Sequence, residues 1–261
     1  MVSSPLDVTA LPSTDDLPCS DDTPVDNEDQ NLLPNLLLLS LASLWAERMD
    51  WFFAVDMAVY HTTGVSPKVP VVPDAFLSLG VERKKDGRSR RSYAVWEEDD
   101  TVPILALEMV SHRYNDEYED KLALYSRLGV LYYVVYNPEY WRRDQHQPFE
   151  VYRLENETYR LQIGEPLWMP EVGLGIGRGR QIVGGIEQEV LLWHDAQGQL
   201  YPLSEQLIGD LQEQVRAGRE QLRAEKLRAK QAEQVASEER RRAELLAEHL
   251  RSLGIDPDSI L

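Results

Sequence analysis

An α/β domain followed by one long helix is the architecture this chain predicts, and three observations predict it. First, an apolar strand at residues 103–110 is followed by helical periodicity over 116–128 and a second apolar strand at 131–136, which is the spacing of an α/β unit. Second, 43% of the 261 residues are hydrophobic, enough to bury a sizeable core in one fair-sized domain with appendages. Third, from Ser204 the composition turns to Glu, Arg, Gln, Ala and Leu, with no proline until Pro257.

The elements follow in order. Residues 1–30, rich in Asp, Pro, Ser and Thr, are expected to be a disordered acidic leader. Asn31 or Asn35 is expected to cap a helix through 36–48. Residues 51–61, rich in aromatic and β-branched side chains, form a first strand, and 69–79 a second after the turn at Gly64–Pro67. A basic excursion at 81–91 leads to a short strand at 93–96. Asp99 and Asp100 make a turn into 103–110. The helix at 116–128 stops at Gly129, a normal C-terminal signal. Beyond Pro148, short strands at 149–154, 159–163, 190–193 and 200–201, with a Gly-rich stretch at 173–185, are expected to extend and cover the same sheet. The domain therefore spans 31–203, the long helix 204–255 and a tail 256–261.

The long helix carries a seven-residue repeat. Val215, Leu222, Ala229, Ala236, Ala243 and Leu250 form one series, and Leu211, Gly218, Glu225, Ala232, Glu239 and Leu246 its companion. Nine of these twelve positions are apolar if Ala is counted, which suits coiled-coil pairing and a homo-oligomer, against a solvated single helix. An Ala-heavy seam with two Glu predicts weak pairing.

Charge and cysteine usage narrow the function classes. The net charge of −18 divides into −8 over residues 1–30, −8 over 31–203 and −2 over 204–261, so even the domain is acidic. That opposes indiscriminate nucleic-acid binding, which depends on Lys and Arg neutralising phosphates. A single cysteine, Cys19, excludes a disulfide framework and a cysteine-built zinc site, so a reducing cytoplasm is the expected setting. No apolar leader region stands in residues 1–30, and the most apolar stretch, 32–45, is far short of a membrane span.

Three polar residues sit where apolar ones are expected. Glu108 lies on the same strand face as Ile104, Ala106 and Val110, and a carboxylate there is expensive to bury unless it is paired or bound to a cation. The other reading is a strand end where Glu108 reaches solvent. Asp74 is the same anomaly between Val71–Pro73 and Ala75–Leu77. Two convergent carboxylates suffice for a hard divalent cation that keeps several waters, so pairing Asp74 with Glu108 is chemically sensible. On a helical wheel, Lys121 falls inside the apolar arc of Tyr118, Leu122, Leu124, Tyr125 and Leu128. It either meets a buried carboxylate or snorkels and pairs with Glu117 one turn away. Among the cations, Arg83, Lys84, Lys85, Arg88, Arg90 and Arg91 form a cluster read either as a phosphate-backbone contact, through Lys84, Lys85, Arg88 and Arg90, or as a solvated loop. His61, His112, His146, His194 and His249 show no metal-ligand spacing, though His112 is close to Glu108 in sequence.

The run PDAF, then LALEMVS, then D-x-x-x-x-K-x-x-x-Y-x-x-x-G-V with the strand LYYVVYNP, resembles the Uma family of restriction-endonuclease-like proteins of the PD-(D/E)XK superfamily. The likeness covers roughly residues 35–200, and the tail ending in LRSLGIDPD is similar to tails of that family. It implies a mixed sheet flanked by helices and metal-assisted phosphodiester hydrolysis of DNA, with Mg²⁺ or Mn²⁺ held by Asp74, Glu108 and the backbone carbonyl of Met109. The lysine that the motif places two residues after the Glu falls on Val110 here, so the resemblance implies that Lys121 supplies it from the helix. Asn137 stands where relatives often have Asp, and Ser111–Tyr114 replaces the usual Ser-Pro run. The alternative is an inactive nuclease-fold protein that associates through its helical tail.

Overall fold

The computed structural model describes residues 11–18, 27–112 and 117–254. Cys19, most of the acidic leader, residues 113–116 with the expected first residue of the central helix, Asp116, and residues 255–261 with the expected tail 256–261 lie outside the described residues. The chain divides into two compact units, Met1–Ser204 and Glu205–Leu261.

The first unit is built on a six-stranded mixed sheet in the order β1-β3-β5-β6-β7-β8, with β1 at Trp51–Val55, β3 at Ala75–Leu79, β5 at Leu105–Met109, β6 at Tyr132–Tyr136, β7 at Phe149–Glu155 and β8 at Thr158–Leu161. Only β5 and β6 run parallel; the other neighbours are antiparallel. Parallel neighbours need a crossover, and the helix α2 (Asp120–Leu128) provides it. Gly129 ends α2 with φ 90°, a left-handed cap that returns the chain to the sheet. A second sheet of three strands, β9 (Leu167–Met169), β10 (Leu174–Val183) and β11 (Ile186–His194), and a two-stranded parallel pair, β2 (Val59–Tyr60) with β4 (Tyr93–Ala94), complete the strands among the described residues, and a single helical turn, α3 (Trp141–Asp144), links β6 to β7.

Strand alternation sorts the main sheet into two faces. Trp51, Phe53, Leu77, Leu107 and Val134 pack on the side of α1 (Glu28–Leu44) and β9–β11. Trp193 of β11 is fixed there by donating its Nε1–H to the carbonyl of Leu37 at 2.9 Å. On the opposite face Phe76, Ala106, Val110, Tyr133 and Val135 pack under α2, with Tyr125 and Leu128 as its buried side chains. Close approach explains one glycine of β10: a Cβ on Gly177 would stand 2.9 Å from Pro166 Cα.

Several boundaries differ from the sequence reading for identifiable reasons. The first helix starts at Glu28, because the Asn27 side chain accepts Gln30 N–H at 3.1 Å and caps it two turns earlier than Asn35 would. Only 75–79 of the expected strand 69–79 joins the sheet, since Pro70 and Pro73 cannot donate to a ladder; Val71 keeps a single bridge to Val59. Strand 51–61 is broken at Asp56, whose φ is 49°. The Gly-rich stretch is a continuous ten-residue strand in a separate sheet, and β9 was not foreseen. Residues 11–18 lie against the domain: Leu17 is buried beside Ala58, Tyr60 and Ala94, and Tyr60 and Trp96 donate to the carbonyls of Pro18 and Pro12.

In the second unit, α4 (Ser204–Ser252) is one unbroken helix of 49 residues with none buried. Among the described residues no helix is long and apolar enough to cross a membrane.

Candidate active site

Asp74 and Glu108 are brought together by strand pairing. The antiparallel register of β3 and β5 matches Ala75 with Leu107, so one step further places Asp74 opposite Glu108. Asp74 has the parity of Phe76, and Glu108 that of Ala106, so both carboxylates belong to the face covered by α2. A hydrogen bond locks the pairing, with Met109 N–H donating to Asp74 Oδ2 at 2.6 Å.

Glu108 is 1% exposed. Its two oxygens are each held from α2: Lys121 Nζ donates to Oε2 at 2.8 Å and Tyr125 OH to Oε1 at 2.6 Å. Lys121 and Tyr125 stand four residues apart, so they share one helix face and reach the same carboxylate from adjacent turns. Of the two readings of Lys121, its hydrogen bond goes to the buried carboxylate, while Glu117 adds only to the surrounding negative charge. The sequence marks Tyr125 only as a core residue of the apolar arc; the signal for its second role is its spacing of one turn from Lys121.

The electrostatics of the group are unbalanced. Burial, then the charge of Glu108, holds the Asp74 carboxyl well above the usual carboxylate range. Burial pulls the Lys121 ammonium down, but Glu108 beside it outweighs that and the net direction is up. Burial and Glu108 likewise push the Tyr125 phenol far up, so it remains a donor. Two carboxylates thus share one ammonium, with Asp56 adding further negative charge near Asp74. The missing positive charge, the hard oxygen donors and the second lone pair left on each Glu108 oxygen fit a divalent cation. The Met109 carbonyl, the expected third ligand, accepts Gln30 Nε2 of α1 at 3.4 Å. Among the described residues no three His, Cys, Asp or Glu side chains converge as a ligand set, so two carboxylates, backbone and water would make up such a shell.

The basic cluster is largely consumed inside the fold. Arg90, 2% exposed in its side chain, forms a two-pronged pair with Glu98 at 2.8 and 2.9 Å and lies over the Phe52 ring. Lys85 pairs with Glu98 at 3.4 Å and donates to the Glu97 carbonyl, and Arg83 stacks on Trp51. Lys84 donates to Ser89, and Arg88 is exposed. Lys85 and Arg90 are thus tied into ion pairs with Glu98, while Lys84 and Arg88 lie at the exposed surface. His112 does not approach Glu108 through any hydrogen bond among the described residues; its ring lies edge-on to Tyr140. Val110 is buried in the core under α2, and Asn137 donates to Tyr118 and Asp144.

The family model Uma2, described as "Putative restriction endonuclease", matches residues 23–182, a span that includes Asp74, Glu108 and Lys121. Among solved structures the chain is similar to a crystal structure of a "putative nuclease belonging to DUF820" from Anabaena variabilis, at 11% sequence identity and a TM-score of 0.40, over 56% of this chain and 74% of that one. No curated protein matches the chain.

Because the folded Asp74 carboxyl holds its proton more tightly than the unfolded chain does, its ionisation opposes folding as pH rises above its ordinary value near 3.8. In EDTA, Asp74→Asn should therefore raise the Tm above wild type by an amount that grows from pH 4 to pH 8; an equal gap at both pH values would contradict the buried, charge-crowded carboxyl. Arg90→Ala should destabilise the domain by about 1.5–3 kcal/mol in urea unfolding, since it removes two charge-assisted hydrogen bonds to buried Glu98 and leaves Lys85 as its remaining countercharge. Lys84→Ala should change stability by no more than about 0.5 kcal/mol.

Proposed function

The chain belongs to the Uma2 family of restriction-endonuclease-like proteins, and from that premise we propose that it is a divalent-metal-dependent endonuclease that hydrolyses phosphodiester bonds in DNA at the Asp74–Glu108–Lys121 site. The observation that carries this reading is the buried carboxylate pair short of one positive charge, with a lysine delivered to it from the neighbouring helix.

In this reading Asp74 and Glu108 would hold Mg²⁺ or Mn²⁺, with the Met109 carbonyl as the expected backbone ligand. The ion supplies Lewis acidity at the phosphate and an activated water. Lys121 keeps its ammonium charged at neutral pH through Glu108, and so can donate hydrogen bonds to a developing oxyanion or orient the attacking water. Tyr125 holds the second Glu108 oxygen, which fixes the carboxylate plane against rotation. Lys121 acts from α2 because Val110, two residues after Glu108, is packed into the core and carries no donor. The acidic domain confines attraction of DNA to local features such as Lys84 and Arg88 and to the cation itself, so binding should be divalent-dependent and weak without it.

Supercoiled plasmid incubated with Mg²⁺ or Mn²⁺ should be nicked or linearised by the wild type. Asp74→Ala and Glu108→Ala should abolish cleavage, and Lys121→Met should slow it on the order of 10²-fold or more while circular dichroism stays native. Cleavage that survives both carboxylate substitutions would assign the activity elsewhere. No cleavage and no divalent-cation binding would favour a nuclease fold used for association.

A further inference from the structure

We propose that α4 pairs with α4 of a second copy of this chain as a parallel, in-register, two-stranded coiled coil. The inference concerns the Glu205–Leu261 unit and does not depend on the nuclease reading.

Forty-nine helical residues with none buried make a rod of about 74 Å at 1.5 Å per residue. A single helix of that length leaves its apolar positions in water: Leu211 is 61% exposed, Val215 45%, Leu222 52% and Leu246 63%. The seven-residue repeat that these positions mark is longer than the twelve residues first identified. Ile208 extends the Val215 series toward the N-terminus as position a, and Leu253 extends the Leu211 series toward the C-terminus as position d. β-branched Ile208 and Val215 at a, with Leu211 at d, favour two strands over three. The Ala229, Ala232 and Ala236 layers let two helices approach closely.

Charge complementarity selects the orientation. The two polar seam residues, Glu225 and Glu239, both occupy d and lie 14 residues apart, and each is followed by the same arrangement: a cation at e (Lys226, Arg240) and another at g (Arg228, Arg242). In a parallel pair a d side chain packs beside the partner's e position, so Glu225 meets the partner's Lys226 and Glu239 the partner's Arg240. Arg228 at g also faces the partner's Glu233 at e, five residues on. Antiparallel pairing instead sets e against e and g against g. Those columns hold Arg219, Lys226, Arg240, Arg228 and Arg242 against the single acid Glu233, so like charges would meet. Each Glu still faces its own copy across the seam, which limits the affinity.

The test uses the full chain. Sedimentation of the unmodified protein at tens of micromolar should show dimer. Leu222→Asp should give monomer with a natively folded domain, and Glu225→Leu with Glu239→Leu should tighten the dimer at least tenfold. In a Cys19→Ser background, Ala229→Cys at position a should form a disulfide with its counterpart on mild oxidation. Val215→Cys mixed with Leu246→Cys, the antiparallel pairing, should form no mixed disulfide. A monomer at 100 µM, a trimer, or preferential 215–246 cross-linking would overturn the proposal.

Discussion

Burial of the Glu108 charge is the constraint around which the site is arranged. Taking a carboxylate out of water costs several kcal/mol unless its lone pairs are satisfied. Here the cost falls in the middle of an apolar strand whose neighbours Leu107 and Met109 face the opposite layer. The offset comes from one helix face: Lys121 supplies the countercharge and Tyr125 a strong neutral donor, so each Glu108 oxygen has a partner. That requirement fixes the rotation of α2 over the sheet. A helix turned by one residue would bury Leu122 toward Glu108 and leave the carboxylate unpaired.

The same constraint explains why the site lies at this place in the sheet. β5 is the strand where an antiparallel neighbour, β3, meets a parallel one, β6, and the crossover between β5 and β6 is α2 itself. The strand carrying Glu108 is thereby linked directly to the helix carrying its partners. Asp74 enters from the antiparallel side, tied by Met109 N–H, and brings the second charge that Lys121 alone does not balance. Residue pairing continues across the sheet from Glu108 to Val135 and on to Glu150, itself buried and bonded to His146, Tyr152 and Gln147 N–H. Glu150 differs from Asp74 in having both oxygens engaged by hydrogen-bond donors.

Much of this was legible in the sequence because it takes the form of misplaced polarity. Glu108 in PILALEMV, Asp74 in VVPDAF and Lys121 inside an apolar arc each violate their local pattern, and the fold brings all three together. Gly129 and the apolar runs fixed the strand, helix, strand order. What escaped depended on tertiary pairing. Tyr125 looks like any core aromatic until its hydroxyl finds Glu108. Arg90 and Lys85 look like a basic loop until Glu97 and Glu98, placed by the short turn after β4, neutralise them. In the separate sheet the apolar run 190–193 of β11 was legible, whereas β10 was not, because Gly175, Gly177 and Gly179, packed close against His194, Pro166 and Leu192, interrupt any alternating pattern.

The proposed cation site stands on the pairing of Asp74 with Glu108 and on the single ammonium of Lys121 beside them. The most direct measurement is an anomalous difference map from crystals of the wild-type protein soaked in Mn²⁺. One strong peak is expected within coordination distance of both carboxylates on the α2 side of the sheet, with Lys121 still bonded to Glu108. A map with no peak there, or with manganese bound only at other surface carboxylates, would contradict it.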